Sequence, residues 1–237
     1  MTILFPVYND EATVAEVARK SLEILGRFAS EWEVIIVDDG SPDRSGEIAD
    51  GLAERYPEVR VIHHEGNRGY GQAIRTGFAS ARFEWICFTD GDDEYDVFDL
   101  TKLVPHLDSY DLIITFRYIK LYSTFRVFVS WTYNRLVRWL FDTRYRDIST
   151  GLRLIRKELA SELDLESTSP FIGAEIAIKA MLKGYRVGEV GIQTFPRNFG
   201  RGQTTTPANI LATILDMFKI RRNIFSSRYE LPENRQR

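Results

Sequence analysis

The residues best suited to do chemistry lie in one acidic stretch, Asp90 to Asp96. Five of its seven residues are acidic, and it follows an apolar run, Phe83 to Phe88, that is typical of a buried strand. Carboxylates packed this closely repel one another at neutral pH unless a cation lies between them. A hard divalent ion that binds both carboxylate oxygens and a substrate diphosphate would supply that charge. The alternative interpretation is a solvated acidic turn at the end of a strand.

Two further polar clusters also follow apolar runs. Asp38 and Asp39 come directly after the run 33–37, and the turn at Tyr8 comes directly after the run 3–7. Apolar runs alternate with helical patterns along the chain, which predicts an α/β fold with a mostly parallel sheet and right-handed crossovers. In such a sheet, ligands bind at the carboxyl ends of the strands. We therefore expect the three clusters to meet in one crevice.

Hydrophobic periodicity divides the chain into strands and helices. Strands are predicted over short apolar runs: 3–7, 33–37, 59–64, 83–88, 111–115, 151–155 and 185–192. Helices are predicted over segments with helical spacing: 14–25, the segment capped by Ser41 or Asp43, 72–81, 125–140, 171–184 and 207–225. These elements are expected to form one domain, 1–225, followed by a polar tail, 226–237.

The composition excludes several classes of protein. The chain has 237 residues, 44% hydrophobic and 27% charged, which suits one well-buried domain. The single cysteine, Cys87, lies in an apolar run, so neither a disulfide scaffold nor a cysteine-ligated metal site is available. Dinucleotide, Walker-type, paired-histidine zinc and nucleophile-elbow motifs are absent. Without a signal peptide or an apolar stretch of membrane-spanning length, a cytoplasmic location is expected. No nucleic-acid partner is expected.

The segment 116–146 is basic although the whole chain is acidic. Between Arg117 and Arg146 there are seven Lys or Arg and one Asp, a local charge of +6 within a net charge of −3. Nine aromatic residues interleave with these cations, and apolar residues from Phe125 to Leu140 recur at helical spacing. A helix lying in an anionic membrane interface has this composition. An amphipathic helix packed on the sheet with a solvated basic face has it too, so both interpretations stay open.

Seven short segments, in their order and spacing, resemble family 2 glycosyltransferases of the GT-A fold. Within that family, the chain is most similar to the polyprenyl-phosphate (dolichol-phosphate) hexosyltransferases, from Ile3 to about Phe218. The segments are Pro6-Val7-Tyr8-Asn9-Asp10-Glu11, Val37-Asp38-Asp39-Gly40-Ser41, Gly66-Asn67-Arg68-Gly69, Asp90-Gly91-Asp92, Arg146-Asp147 with Gly151-Leu152-Arg153-Leu154, Gly184-Tyr185-Arg186-Val187-Gly188-Glu189-Val190, and Arg197-Asn198-Phe199-Gly200.

The resemblance implies roles for individual residues. It implies a nucleotide-sugar pocket formed by Pro6, Tyr8, Asn9, Glu11, Asp38, Asp39, Gly69, Asp90, Gly91, Asp92 and Arg197. Asp38 would read the base, with Asp39 close by. Asp90 and Asp92, the DxD motif, would hold Mg²⁺ or Mn²⁺ on the diphosphate, with Glu94 near the metal. The residues implied in handling the phosphates are Arg117, Arg126 and Arg197.

The chain departs from the family pattern in two respects. Gln203 stands where a lysine is expected, so one cation of the loop over the phosphates is missing unless Arg201 replaces it. The transmembrane helices that many relatives append are also missing, so membrane contact is expected to be peripheral.

The implied activity is metal-dependent, inverting transfer of a hexose to a polyprenyl phosphate at the cytoplasmic membrane face. The donor would be a nucleotide sugar of the GDP-mannose or UDP-glucose type. A phosphomonoester acceptor is already ionised at pH 7 and needs no base, whereas a hydroxyl acceptor would need one. Asp147 and Glu175 are the candidates for that base, although Glu175 could equally be a structural carboxylate. The alternatives are a transferase acting on a soluble glycan or another hydroxyl acceptor, and a catalytically silent nucleotide-sugar-binding module.

Overall fold

The computed structural model describes residues 1–118, 124–194 and 206–226. The strands of the described residues are β1 (Thr2–Val7), β2 (Glu33–Asp38), β3 (Val59–His63), β4 (Trp85–Phe88), β5 (Leu112–Arg117), β6 (Arg153–Arg156) and β7 (Val187–Ile192). The helices are α1 (Val14–Phe28), α2 (Ser45–Arg55), α3 (Tyr70–Ser80), α4 (Leu100–Leu103), α5 (Thr124–Phe141), α6 (Lys157–Glu162), α7 (Ile172–Leu182) and α8 (Pro207–Phe225). Of the predicted tail, 226–237, all but Ser226 lies outside the described residues.

The strands form one sheet in the order β3-β2-β1-β4-β6-β5-β7. Neighbouring strands are parallel except at β6, which runs antiparallel to β4 and β5. The predicted mostly parallel α/β sheet is therefore confirmed. Because Arg153 pairs with Phe88 across the antiparallel β4 and β6 strands, the residues before β6 continue beside those that follow β4. This reversal brings the segment 149–151 next to Asp90.

Helices cover both faces of the sheet, so its central strands are buried on both sides. On one face, Ile3 and Phe5 of β1 pack with α1, α2 and α4. On the other face, Leu4 packs with α3, α5, α6, α7 and α8. Cys87 of β4 is fully buried, and burial raises the pKa of its thiol to about 12, so it is a core residue as the sequence indicates. None of the described helices is long and apolar enough to cross a membrane.

The helix boundaries depend on local chemistry. The closing helix, α8, begins at Pro207 as predicted, and the side chain of Thr206 accepts a hydrogen bond from the Asn209 N–H at 3.3 Å. Neither predicted cap of α2 is its N-cap residue, which is Arg44. The Asp43 carboxylate, one residue earlier, accepts from the Ser45 N–H at 3.1 Å. The helix predicted at 72–81 begins two residues earlier, because Gly69 takes a φ of +91° and turns the chain directly into it.

Candidate active site

The three predicted polar clusters line one open cavity, of about 890 Å³, at the carboxyl ends of the parallel strands. Tyr8 comes from the turn after β1, Asp39 follows β2, and Asp90 to Asp92 follow β4. Pro6, Gly69 and Glu94 line it as well. The helices α5 and α8 also line the cavity, mainly with apolar side chains. Residues widely separated in sequence therefore share one site, as the strand order requires.

The side chains of Asp38 and Asp39, the acidic pair at the end of β2, lie in different surroundings. Asp39 lines the cavity, where its carboxylate accepts the N–H groups of Arg68 and Gly69, both at 2.9 Å. Asp38 lies behind it, against α2, and its carboxylate accepts the Ser41 N–H at 3.0 Å and contacts His63 Nδ1 at 2.9 Å. Successive side chains of a strand point to opposite faces, so only one of the pair reaches the cavity. Asp39 therefore lies at the cavity, whereas Asp38 lies behind it, and both side chains are largely buried.

The turn after β1 brings only some of its predicted residues to the cavity. Asp10 lines the cavity, whereas Asn9 and Glu11 are not among the lining residues. The Asn9 backbone has a φ of +61°, and the Glu11 carboxylate accepts the Arg44 N–H at 3.2 Å. The Asp10 carboxylate in turn accepts the Tyr8 N–H at 3.1 Å. Asp10 lies in the segment Pro6–Glu11, but the sequence does not indicate that Asp10, rather than Asn9 or Glu11, reaches the cavity.

Asp90 is held by close packing on two sides. Its Oδ1 accepts a hydrogen bond from the Tyr70 hydroxyl at 2.7 Å. Burial, and then the charge of Asp90, raises the pKa of Tyr70 well above its ordinary value, so the phenol stays protonated as a donor. A Cβ at Gly151 would lie 2.4 Å from Asp90 Oδ2, so only glycine leaves room for this carboxylate. Tyr70 is a site residue that the sequence reading missed.

The loop that carries Asp92 is fixed from within and from α1. Asp92 Oδ1 accepts the Glu94 N–H at 3.0 Å, and the Thr13 hydroxyl donates to the Gly91 carbonyl at 2.8 Å. Asp93 adopts a left-handed φ of +58°, and Lys20 Nζ contacts both of its carboxylate oxygens, at 2.8 and 2.9 Å. These contacts hold Asp92 at the cavity in a defined conformation.

The acidic loop meets the chemical requirement for a hard divalent cation only in part. Asp90 and Asp92 both line the cavity and present oxygen donors, the type that Mg²⁺ and Mn²⁺ prefer. Across residues 1–118, 124–194 and 206–226, no three His, Cys, Asp or Glu side chains are grouped as a metal site. Glu94, the predicted third carboxylate, is paired with Arg126 at 2.9 Å. The donor set therefore fits a cation bound by two carboxylates and completed by the oxygens of its ligand.

Residues 2–163, more than half of the chain, match the family model described as "Glycosyl transferase family 2". The chain belongs to this family.

Curated relatives support the family assignment over most of the chain. "Glycosyltransferase AglD" of Haloferax volcanii is 30% identical over 207 residues, which are 83% of this chain and 33% of that protein. "Undecaprenyl-phosphate 4-deoxy-4-formamido-L-arabinose transferase" of Pectobacterium carotovorum is 29% identical over 235 residues, 90% of this chain and 70% of that protein. The chain thus spans about a third of the first relative's length and over two thirds of the second's.

A solved structure shares the fold of this family 2 glycosyltransferase. Glucosyl-3-phosphoglycerate synthase from Mycobacterium tuberculosis, solved with Mn²⁺, uridine diphosphate and phosphoglyceric acid, matches with a TM-score of 0.69. The sequence identity is 19%, and the match covers 93% of this chain and 78% of that chain. The fold is of the GT-A type.

The two candidate bases of the glycosyltransferase, Asp147 and Glu175, form ion pairs and do not line the cavity. Asp147 is buried and contacts Arg117 Nε at 2.8 Å, the Asn134 amide at 3.2 Å and the Ser149 hydroxyl at 2.7 Å. Glu175 is fully buried in α7 and pairs with Lys179 at 2.7 Å. Neither is among the residues that line the cavity. This geometry favours the structural interpretation of Glu175.

Four arginines of the described residues line the cavity: Arg68, Arg117, Arg126 and Arg153. Arg68 donates its backbone N–H to Asp39, and the other three lie in different electrostatic surroundings. Arg117 contacts Asp147 and donates to the Ser149 hydroxyl at 2.8 Å, which fixes its guanidinium. Arg126 contacts Glu94. Arg153, missed by the sequence reading, is buried beneath the site and donates to the carbonyls of Thr150, Ile148 and Gly173. Burial lowers the pKa of Arg153. Arg197, Arg201 and Gln203 lie outside the described residues.

Proposed function

We propose that this protein transfers a hexose from a nucleotide sugar to the phosphate of a polyprenyl phosphate. The observation that carries the proposal is the two-sided cavity. Its polar side includes Asp39, Asp90 and Asp92 together with the cations of Arg117 and of Arg126 in the first turn of α5. Its apolar side, the apolar slot, is lined mainly by residues of α5 beyond this turn and by residues of α8. A sugar diphosphate suits the first side, and an isoprenoid chain attached to a phosphate suits the second.

The apolar slot supports a lipid acceptor in particular. Its α5 side includes Val129 and Leu136, and its α8 side includes Ile210, Ile214 and Met217. A water-soluble glycan would gain little from burying against these side chains, whereas each buried methylene of an isoprenoid contributes about 0.8 kcal/mol. Relatives of this chain are named as an undecaprenyl-phosphate 4-deoxy-4-formamido-L-arabinose transferase, a polyprenol monophosphomannose synthase and a dodecaprenyl-phosphate galacturonate synthase. The slot and the relatives therefore both support a polyprenyl-phosphate acceptor.

The proposed mechanism is a direct displacement at the anomeric carbon with inversion. A phosphate oxygen of the acceptor attacks that carbon while the bond to the leaving nucleoside diphosphate breaks. Arg117 and Arg126 offset the repulsion between the two anions, and Asp39 and Gly69 hold the loop against which the nucleotide binds. Asp90 and Asp92 are proposed to hold Mg²⁺ or Mn²⁺, which when bound would neutralise charge growing on the leaving group. An ionised phosphate needs no base, which agrees with buried positions for Asp147 and Glu175.

A panel assay with purified protein tests this proposal. GDP-mannose, UDP-glucose and other nucleotide sugars would each be incubated with farnesyl phosphate and Mn²⁺, with a soluble glycan acceptor in parallel. We expect at least one donor to give a prenyl-phosphate sugar, with the configuration at the anomeric carbon inverted. Transfer only to the soluble acceptor would favour the alternative transferase. No turnover of any donor would leave the silent binding module as the better interpretation.

The same proposal places the protein peripherally at the cytoplasmic face of the membrane. The side chains of Trp131 and Trp139 are 53% and 78% exposed on α5, and Leu215 and Phe218 are 61% and 54% exposed on α8. The two helices are in contact, because Arg221 of α8 donates to the Leu140 carbonyl. Arg135 lies 5.8 Å from the ring centre of Trp131, so a cation accompanies the exposed aromatics. Such a surface suits the interface of an anionic bilayer.

Vesicle flotation provides a prediction for this surface. Replacing Trp131 and Trp139 together by alanine is expected to weaken binding to phosphatidylglycerol vesicles about tenfold, since two exposed rings lose their place in the interface. Phe28→Ala is the matched control, because Phe28 is 46% exposed at the end of α1, on the other face of the sheet. Equal flotation of all three proteins would contradict a membrane role for α5.

A further inference from the structure

One ion pair links the acidic loop to the helix that carries the exposed tryptophans. Arg126 Nη2 lies 2.9 Å from Glu94 Oε1 and 3.1 Å from Glu94 Oε2. The Glu94 side chain is 4% exposed and the Arg126 side chain 30% exposed. Arg126 belongs to the first turn of α5, and Glu94 follows Asp92 by two residues. The pair therefore sits between the proposed donor site and the slot proposed for the acceptor.

Both members of the pair line the cavity, where a bound cation would attract Glu94 and a bound phosphate would attract Arg126. A divalent cation at Asp90 and Asp92 attracts the Glu94 carboxylate and repels the Arg126 guanidinium. A guanidinium does not lose its proton in proteins, so the pair separates only by movement of a side chain. The Arg126 side chain is 30% exposed toward the cavity, which leaves room for that movement. The contact is therefore suited to exchange.

We propose that Glu94 and Arg126 exchange partners, which makes binding of the acceptor phosphate depend on the metal. In the free protein, Glu94 holds Arg126 and lowers its attraction for a phosphomonoester. When Glu94 turns toward a cation at Asp90 and Asp92, Arg126 is released to bind the phosphate. The inference rests on the proposed function, to which it adds a link between metal binding and lipid-phosphate binding through one ion pair.

A permanent pair that only positions Arg126 is the competing explanation, and Glu94→Gln separates the two. Glutamine keeps the size of the side chain and removes its charge. Under exchange, Glu94→Gln frees Arg126, so phosphate binds well without metal. Under permanent positioning, the same change misplaces Arg126, so phosphate binding weakens with and without metal.

The first experiment measures affinity for Mn²⁺ alone, by electron paramagnetic resonance, in a double-mutant cycle. Arg126→Gln releases Glu94, so Mn²⁺ is expected to bind about tenfold more tightly than to the unaltered protein. In the Glu94→Gln background, the same arginine change is expected to alter the affinity by no more than about twofold. An equal effect in both backgrounds would mean that Arg126 merely repels the cation through space, and would overturn the exchange.

The second experiment measures affinity for farnesyl phosphate, by calorimetry, with and without Mn²⁺. In the unaltered protein, Mn²⁺ is expected to increase that affinity about tenfold. Glu94→Gln should reach the higher affinity without Mn²⁺, and Arg126→Gln should lose the increase. An increase that persists in Arg126→Gln would mean that the metal itself bridges to the phosphate, and would overturn the coupling.

Controls keep these outcomes separate from general effects. Glu47→Gln breaks an exposed arginine–glutamate pair on α2, with Arg44, and is expected to change neither affinity. Circular dichroism of each variant reports whether the fold is retained. If farnesyl phosphate binds to no variant, the proposed acceptor is wrong and the coupling with it. The Mn²⁺ cycle still decides by itself whether Glu94 exchanges partners.

Discussion

Asp92→Ala is expected to reduce kcat/KM for sugar transfer by about 10²–10³-fold or more while leaving the fold intact. Asp90, Asp92 and Glu94 of the acidic loop line the cavity, and Glu94 is paired with Arg126, so losing Asp92 removes one of the two carboxylates proposed to hold the cation. The variant should also lose the Mn²⁺-dependent part of nucleoside diphosphate binding. Steady-state kinetics with the active donor, and calorimetry with and without Mn²⁺, measure the two effects.

The matched control is Asp108→Ala. Asp108 is exposed and precedes β5, at the edge of the sheet opposite the cavity. The same loss of one negative charge there is expected to leave kcat/KM and Mn²⁺-dependent binding unchanged. If Asp92→Ala turned over at the rate of the unaltered protein, the proposed metal role of the acidic loop would have to be abandoned.

The fold was predictable because its signals are local. Each strand is a short apolar run, and each longer helix has its own periodicity. Each of the seven predicted strands and six predicted helices therefore overlaps an element of the structure. The direction of β6 was not predictable, since an antiparallel strand with both faces buried has the same apolar pattern as a parallel one. That direction depends on which strands become neighbours, here β4 and β5.

The candidate site was predictable as a region but not as a set of contacts. The density of acidic residues in the loop indicated a functional site. Tyr70, in contrast, has the sequence context of an ordinary aromatic residue at the start of a helix. Its role came from a contact with Asp90, twenty residues away. The pairing of Arg117 with Asp147 spans thirty residues and left no local pattern. Glu175 and Lys179, by contrast, have the i,i+4 spacing of a helical ion pair, a signal that the sequence did contain.

Lys179→Met is expected to lower the free energy of unfolding by about 3–5 kcal/mol. Lys179 and Glu175 are 1% and 0% exposed, and their charged atoms lie 2.7 Å apart. The Glu175 carboxylate also accepts the N–H groups of Glu166 and Ser167, at 2.8 and 2.9 Å. Removing the lysine leaves this carboxylate buried without its charged partner, and the desolvation of that charge is no longer offset. Urea unfolding at neutral pH measures the loss.

The comparison that decides between a structural and a catalytic Glu175 uses an exposed pair on another helix. Arg19 contacts Glu16 at 2.7 Å on α1, with both side chains about half exposed, so Arg19→Met should lower the free energy of unfolding far less than Lys179→Met does. Combining Lys179→Met with Glu175→Gln should cost less than the sum of the single changes, because the stranded charge is gone. Should Lys179→Met instead leave stability unchanged and abolish transfer, Glu175 would be a base whose pairing with Lys179 matters for chemistry rather than for folding.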